Sequence, residues 1–132
     1  MIIEIEIDGD MYQCKRLSAV SAFELGHLLG AHNLLFLAKN PDNAYAIMAG
    51  LMSIPFNDAK KIAETITKGA VKVNLGGEPT PVGLSYFSDD ITIFYRLAAE
   101  LVIANFQKLS TYLLEESKQA EARAAEKQSA KD

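Results

Sequence analysis

The chain has 132 residues, 49% hydrophobic and 23% charged, with a net charge of −4. That balance excludes a disordered chain, a collagen-like repeat and a disulfide scaffold. It offers no basic footprint for nucleic acid or an anionic membrane. The single cysteine, Cys14, has no internal partner, which fits a reducing, cytoplasmic setting.

At the N-terminus Ile3, Ile5 and Ile7 alternate with Glu4 and Glu6, the pattern of a half-buried strand. Those acids, with Asp8, stand where a signal peptide needs positive charge. Asp8-Gly9-Asp10 marks a turn, and Met11 to Leu17 reads as the returning strand of a hairpin. Ser18 and Ser21 are candidate helix caps, Ser21 forming a capping-box pattern with Glu24.

The first helix is expected to run to about Lys39, before Asn40-Pro41. Leu25, Leu28, Leu29, Leu35 and Phe36 share its broad side, and Gly26, Gly30 and Asn33 form a narrow small-residue strip. With almost no polar face, such a helix needs cover on nearly every side. Its charge-free stretch, Leu25 to Ala38, is shorter than the roughly twenty residues of a membrane span and is interrupted by His27, His32 and Asn33.

A second helix is expected over Pro41–Ser53, with Tyr45, Ile47, Met48, Leu51 and Met52 apolar, ended by Pro55. Asn57 is placed to cap a third helix through Thr67, with Ile62 and Ile66 packed inward, Lys60, Lys61 and Glu64 outward, and Gly69 as its stop. The period then falls to two: Val71, Val73 and Leu75 alternate with Lys72 and Asn74. After Gly76-Gly77-Glu78-Pro79, Thr80 to Leu84 returns as an edge strand that tolerates Pro81, giving a second hairpin.

Ser88 is expected to cap the last helix, with Asp89 and Asp90 in its first turn. Phe94, Ala98, Leu101, Val102, Leu109 and Tyr112 define its apolar stripe, and Thr92, Arg96, Glu100, Gln107 and Ser110 lie opposite. Asn105 falls within the stripe, as a buried amide that fixes packing register or contacts a partner. Ile103 and Leu114 interrupt the polar side and are expected to be exposed on a lone subunit. With the first helix, they point to a homo-oligomer.

Residues 115–132 contain no large aliphatic or aromatic side chain, so they are expected as a charged, solvated helical extension that frays into disorder. The expected architecture is thus mainly α: one small helical domain over 1–114, with one or two short β-hairpins and a long C-terminal helix ending in a polar tail.

No catalytic chemistry is legible. His27 and His32, five residues apart, do not share a helix face and are not the i, i+4 pair that binds zinc. Gly76-Gly77 lacks the Lys-Ser/Thr of a phosphate loop. Adjacent Asp89 and Asp90 diverge on a helix and suit its dipole. Neither Cys14 nor any serine carries the local signature of an activated nucleophile. No enzyme, metal or cofactor is therefore expected.

Three segments resemble the tail assembly chaperones of long-tailed bacteriophages. IEIDGDMYQCKRLSA is similar to that family's opening strand, glycine turn and second strand ending in Lys/Arg-Leu. VKVNLGGEPTPVGLSYFSDD resembles its short β segment and aromatic residue before the last helix. IFYRLAAELVIANFQKL resembles its closing signature, in which an aliphatic helix reaches an Asn-Phe pair, here Asn105-Phe106. The resemblance implies a non-catalytic protein of the infected bacterial cytoplasm, absent from the mature virion. It implies binding to the tape measure protein, which is kept soluble, and recruitment of major tail protein. It also implies that this chain is the shorter of two frameshift-related products. Leu101, Ile103, Asn105, Phe106 and Leu114 are the candidate interaction or packing residues. The alternative is another small cytosolic interaction module, either a different phage morphogenesis protein or a bacterial adaptor.

Overall fold

Asp8 and Gly9 both take positive φ, 52° and 85°, in a computed structural model that describes residues 1–131, with side chains through 127. Two such residues make the tight turn that matches strand twist. They join β1 (Ile2–Ile7) to β2 (Asp10–Lys15) in antiparallel register, Ile7 opposite Asp10 and Ile3 opposite Cys14. Ile3 and Ile7 face the core, and Glu4 and Glu6 face solvent.

The second hairpin is present, shorter than expected, and it joins the first in one sheet. β3 (Val71–Lys72) pairs with β2, Tyr12 opposite Lys72, and β4 (Thr80–Pro81) closes one four-stranded sheet of order β1-β2-β3-β4. Pro81 sits on the outer strand, where its missing N–H costs no ladder bond. The expected alternation stops short of Leu75, which is fully exposed. Asn74 has already turned the chain, its side-chain amide donating to Glu78 O (2.9 Å) and Thr80 Oγ1 (2.7 Å).

Ser18 caps α1 (Ala19–Ala31), its Oγ accepting the Ser21 N–H at 3.2 Å. The helix ends eight residues before the expected Lys39. Asn33 adopts φ 60°, Leu34 N–H donates to Leu29 O (2.8 Å) and Asn33 N–H to Gly30 O (3.2 Å). This is a Schellman stop with asparagine in the left-handed position. Leu35–Lys39 then forms a separate 3₁₀ turn. Pro41–Asn43, expected as helix, is also a 3₁₀ turn, and it leads into α2 (Ala44–Ser53).

α3 (Phe56–Ile66) starts one residue ahead of the expected cap: Pro55 occupies the cap position and Asn57 lies in the first turn. Ile62 and Ile66 are buried as expected, and Gly69 turns the chain with φ 78°. Glu24 of α1 forms an ion pair with Lys61 of α3.

α4 (Ile91–Lys131) is capped by Asp90 rather than Ser88: Asp90 Oδ1 accepts the Thr92 N–H at 3.0 Å, while Ser88 Oγ donates to Ser85 O. Its first half runs through the core among Leu25, Leu29, Ile47, Leu51 and Ile62. Along 115–127 every side chain is exposed and the backbone stays helical. The fraying expected at the extreme end falls on residue 132 and on side chains outside the described set.

Candidate functional site

α4 carries the sequence-derived candidates, and the structure separates them. Leu101 and Phe106 are buried. Phe106 lies against α1, its Cε1 3.5 Å from where a β-carbon on Gly26 would stand. Asn105 is half-buried and internally satisfied. Its Oδ1 accepts the Leu17 N–H at 3.0 Å, and its Nδ2 donates to Leu101 O at 2.9 Å. It therefore locks the end of the hairpin onto α4.

The expected exposure of Ile103 and Leu114 is corrected. Ile103 is 4% exposed and Leu114 is half-buried. Ile103, Phe106 and Ser110 follow each other at i, i+3 and i+7, one helix face. The Leu35–Lys39 turn covers that face: fully buried Ser110 donates its Oγ to Leu35 O at 2.5 Å. Ser110, expected on the polar side, belongs to the core for the same reason. Because α1 stops at Ala31, the following segment is free to fold back over α4 and bury what a continuous helix would have left bare.

The expected stripe divides. Phe94, Ala98, Leu101 and Val102 are buried, but Leu109 (42% exposed), Tyr112 (59%) and Leu113 (37%) are open. Here α4 has outrun the domain while still carrying apolar side chains at i, i+3 and i+4.

A second apolar surface has walls from three elements. The start of α3 supplies Phe56, Ala59 and Ala63, the 3₁₀ turn Leu84–Phe87 supplies Leu84, and the first turns of α4 supply Ile91, Phe94 and Tyr95. Together they line a groove of 260 Å³ rimmed by Lys60 and Glu64. Phe56 is 75% exposed, and Leu84 and Ile91 are also open to solvent. The alanines create the depression, since they leave room that larger side chains at those positions would fill. The walls are held by an aromatic chain: Tyr12 and Phe87 ring centres lie 6.3 Å apart, Phe87 and Phe94 6.0 Å, and Phe94 and Tyr95 6.4 Å. These spacings are those of favourable edge and offset contacts. The groove is thus braced against the sheet.

The rim charges are sparse. Lys60 Nζ stands 4.0 Å from Glu64 Oε1, both side chains half-exposed, so the pair is loose and screened. The volume falls below the range usual for small-molecule sites and suits one or two large side chains. Short apolar grooves of this kind take the face of an amphipathic helix.

Other polar groups fall elsewhere. His32 Nε2 meets Asp58 Oδ2 at 2.8 Å, tying the end of α1 to α3, while His27 stacks edge-on against Phe23. Arg96 pairs with Glu100 at 2.9 Å and lies 4.9 Å over the Tyr45 ring, which accounts for an exposed tyrosine on α2. The Glu100 hydrogen bond raises the Arg96 pKa. Burial pushes the Cys14 thiol up, and Sγ lies 3.6 Å from both Ile66 O and Lys68 O. Among the described residues no group of three or more His, Cys, Asp or Glu is placed to hold a metal. No described helix is long and apolar enough to cross a membrane.

Sequence reasoning missed Phe56, Leu84, Ile91 and Tyr95 as a set. The local signal was an aromatic residue directly after Pro55, followed by alanines at i+3 and i+7, a second small-residue face beside the Ile62–Ile66 stripe. No protein-family model, curated protein or solved structure matches this chain.

Proposed function

We propose that this protein is a non-catalytic tail assembly chaperone that binds the tape measure protein of a long-tailed bacteriophage. It keeps that chain soluble in the host cytoplasm and helps recruit major tail protein. The observation that supports this reading is the braced, solvent-open groove of Phe56, Ala59, Ala63, Leu84, Ile91 and Tyr95. A tape measure chain is a long amphipathic helix that aggregates unless its apolar face is covered, and such a groove covers one turn of it. Burying one Leu or Phe side chain there is worth about 1.5–3 kcal/mol when complete. Single contacts of that size are weak and reversible, as suits a protein absent from the finished particle. Repeated along a helix, they add through effective concentration.

Co-expression with a candidate tape measure protein tests the reading. The tape measure protein is expected in the soluble fraction with the wild-type chain and in the pellet with Phe56→Glu/Ile91→Glu. Both substituted positions are exposed, so the fold tolerates the change. A tape measure protein that stays insoluble with the wild-type chain, or that is equally soluble with the double variant, refutes the reading.

A further inference from the structure

The groove and the bare stretch of α4 are complementary surfaces on one molecule. The donor is Leu109, Tyr112 and Leu113, spaced i, i+3, i+4 and all open to solvent. That is the pattern an apolar groove accepts from a helix. The acceptor is the groove between α3 and the start of α4. One copy cannot satisfy itself. The groove contains Ile91 of α4 itself, and Leu109 lies eighteen residues further along the same unbroken helix, about 27 Å away at 1.5 Å per residue. Only the groove of another molecule is therefore within reach of the donor.

We infer that the resting occupant of the groove is the Leu109-Tyr112-Leu113 face of α4 from a second copy of this chain, lying antiparallel to α3. Charge sets the direction. Along α3 the rim reads Lys60 then Glu64, and around the donor face α4 reads Lys108 then Glu116. The antiparallel arrangement brings Glu116 to Lys60 and Lys108 to Glu64, whereas the parallel one opposes like charges. Four residues of α3 span about 6 Å and eight of α4 about 12 Å, a difference that two long side chains absorb. The Lys60–Glu64 pair, at 4.0 Å, is loose enough to exchange partners.

This occupant rests on the groove being the docking site of the proposed function and adds regulation to it. A client helix and the α4 face of another copy compete for one surface, so self-association shields the groove until a client displaces it.

Two variants test the inference by complementation, with sedimentation at several concentrations as the readout. Leu109→Glu/Leu113→Glu spoils the donor and leaves the groove intact, while Phe56→Glu/Ile91→Glu spoils the groove and leaves the donor intact. The wild-type protein is expected to associate as concentration rises. Each variant alone is expected to be monomeric and folded by circular dichroism, and an equimolar mixture to form a one-to-one pair. Lys60→Glu is expected to weaken wild-type association about tenfold or more, and adding Glu116→Lys to restore most of it. A wild-type monomer at all concentrations, association by either variant alone, a mixture that fails to pair, or no rescue by Glu116→Lys overturns the inference.

The client reading is scored separately. The donor-spoiled variant, with its groove uncovered, is expected to keep a tape measure protein soluble at least as well as wild type. If it does so while the pairing results fail, only the self-association falls. If it does so less well than wild type, the α4 face binds the client and the competition is refuted.

Discussion

Asn105→Leu isolates one hydrogen bond that joins the first seventeen residues to the last helix. The Leu17 N–H loses its acceptor, 3.0 Å away, at a half-buried position. An orphaned donor costs about 1–3 kcal/mol, toward the lower end where water has some access. Leu101 O loses less, because the Asn105 backbone N–H still reaches it in the helical ladder. Leucine returns about 0.5 kcal/mol in helix propensity. The net loss is therefore about 1 kcal/mol, or about 3–4 °C in Tm for a chain of this size. Gln107→Leu is the control: its amide donates to Lys39 O at 3.2 Å from an exposed position, and the change should lie within about 0.5 kcal/mol of wild type. Asn105→Asp keeps the acceptor but turns a carboxylate oxygen toward Leu101 O in place of the donor now 2.9 Å away, so it too should melt below wild type. Thermal melts of the three variants in the Leu109→Glu/Leu113→Glu background remove any contribution from association. Asn105→Leu melting with or above Gln107→Leu would refute the reasoning.

Ser110→Ala should cost about 1–3 kcal/mol, read by urea unfolding, because Leu35 O loses a 2.5 Å partner inside the core. Ile103→Glu should unfold the domain rather than merely dissociate it, since it places a charge at a buried position, and circular dichroism would show the difference. Stability should fall as pH rises above about 9. Burial raises the Cys14 pKa above its ordinary value and, with Asp10, Tyr86 and Asp8, raises that of Tyr12. The unfolded chain then loses these protons at lower pH than the folded one, so the stabilisation is whole below the unfolded values and is lost through the folded ones. Melts from pH 8 to 11 should show a shallower decline for Cys14→Ala. Removing residues 118–132 should leave the concentration dependence of sedimentation unchanged, because the apolar donor ends at Leu113.

What the sequence disclosed was local. The Asp8-Gly9 turn, the Ser18 cap, the inward Ile62–Ile66 pair and the helical polar extension each follow from neighbours a few residues apart. The end of α1 was also encoded locally, in Asn33, but the apolar run from Leu34 to Ala38 continued the pattern past it. The burial of Ile103 and Ser110 then followed from that missed stop, not from α4 itself. Joining of the two β segments needs Tyr12 opposite Lys72, a pairing with no local mark. The groove is least legible of all, since its walls come from three separate elements and its depth from what alanines omit.

The bonds between the hairpin and α4 also dictate an order of events. Arg16 Nη1 donates to Ala104 O at 3.0 Å and Leu17 N–H to Asn105 Oδ1 at 3.0 Å, each spanning 88 residues of chain. The strands are translated well before the helix that completes their contacts. Until then Ile3, Ile7 and Cys14 await much of their cover. A fold closed across so long a loop gains its decisive contacts late and slowly. A nascent chain of this protein therefore passes through an adhesive stage of its own before its fold closes.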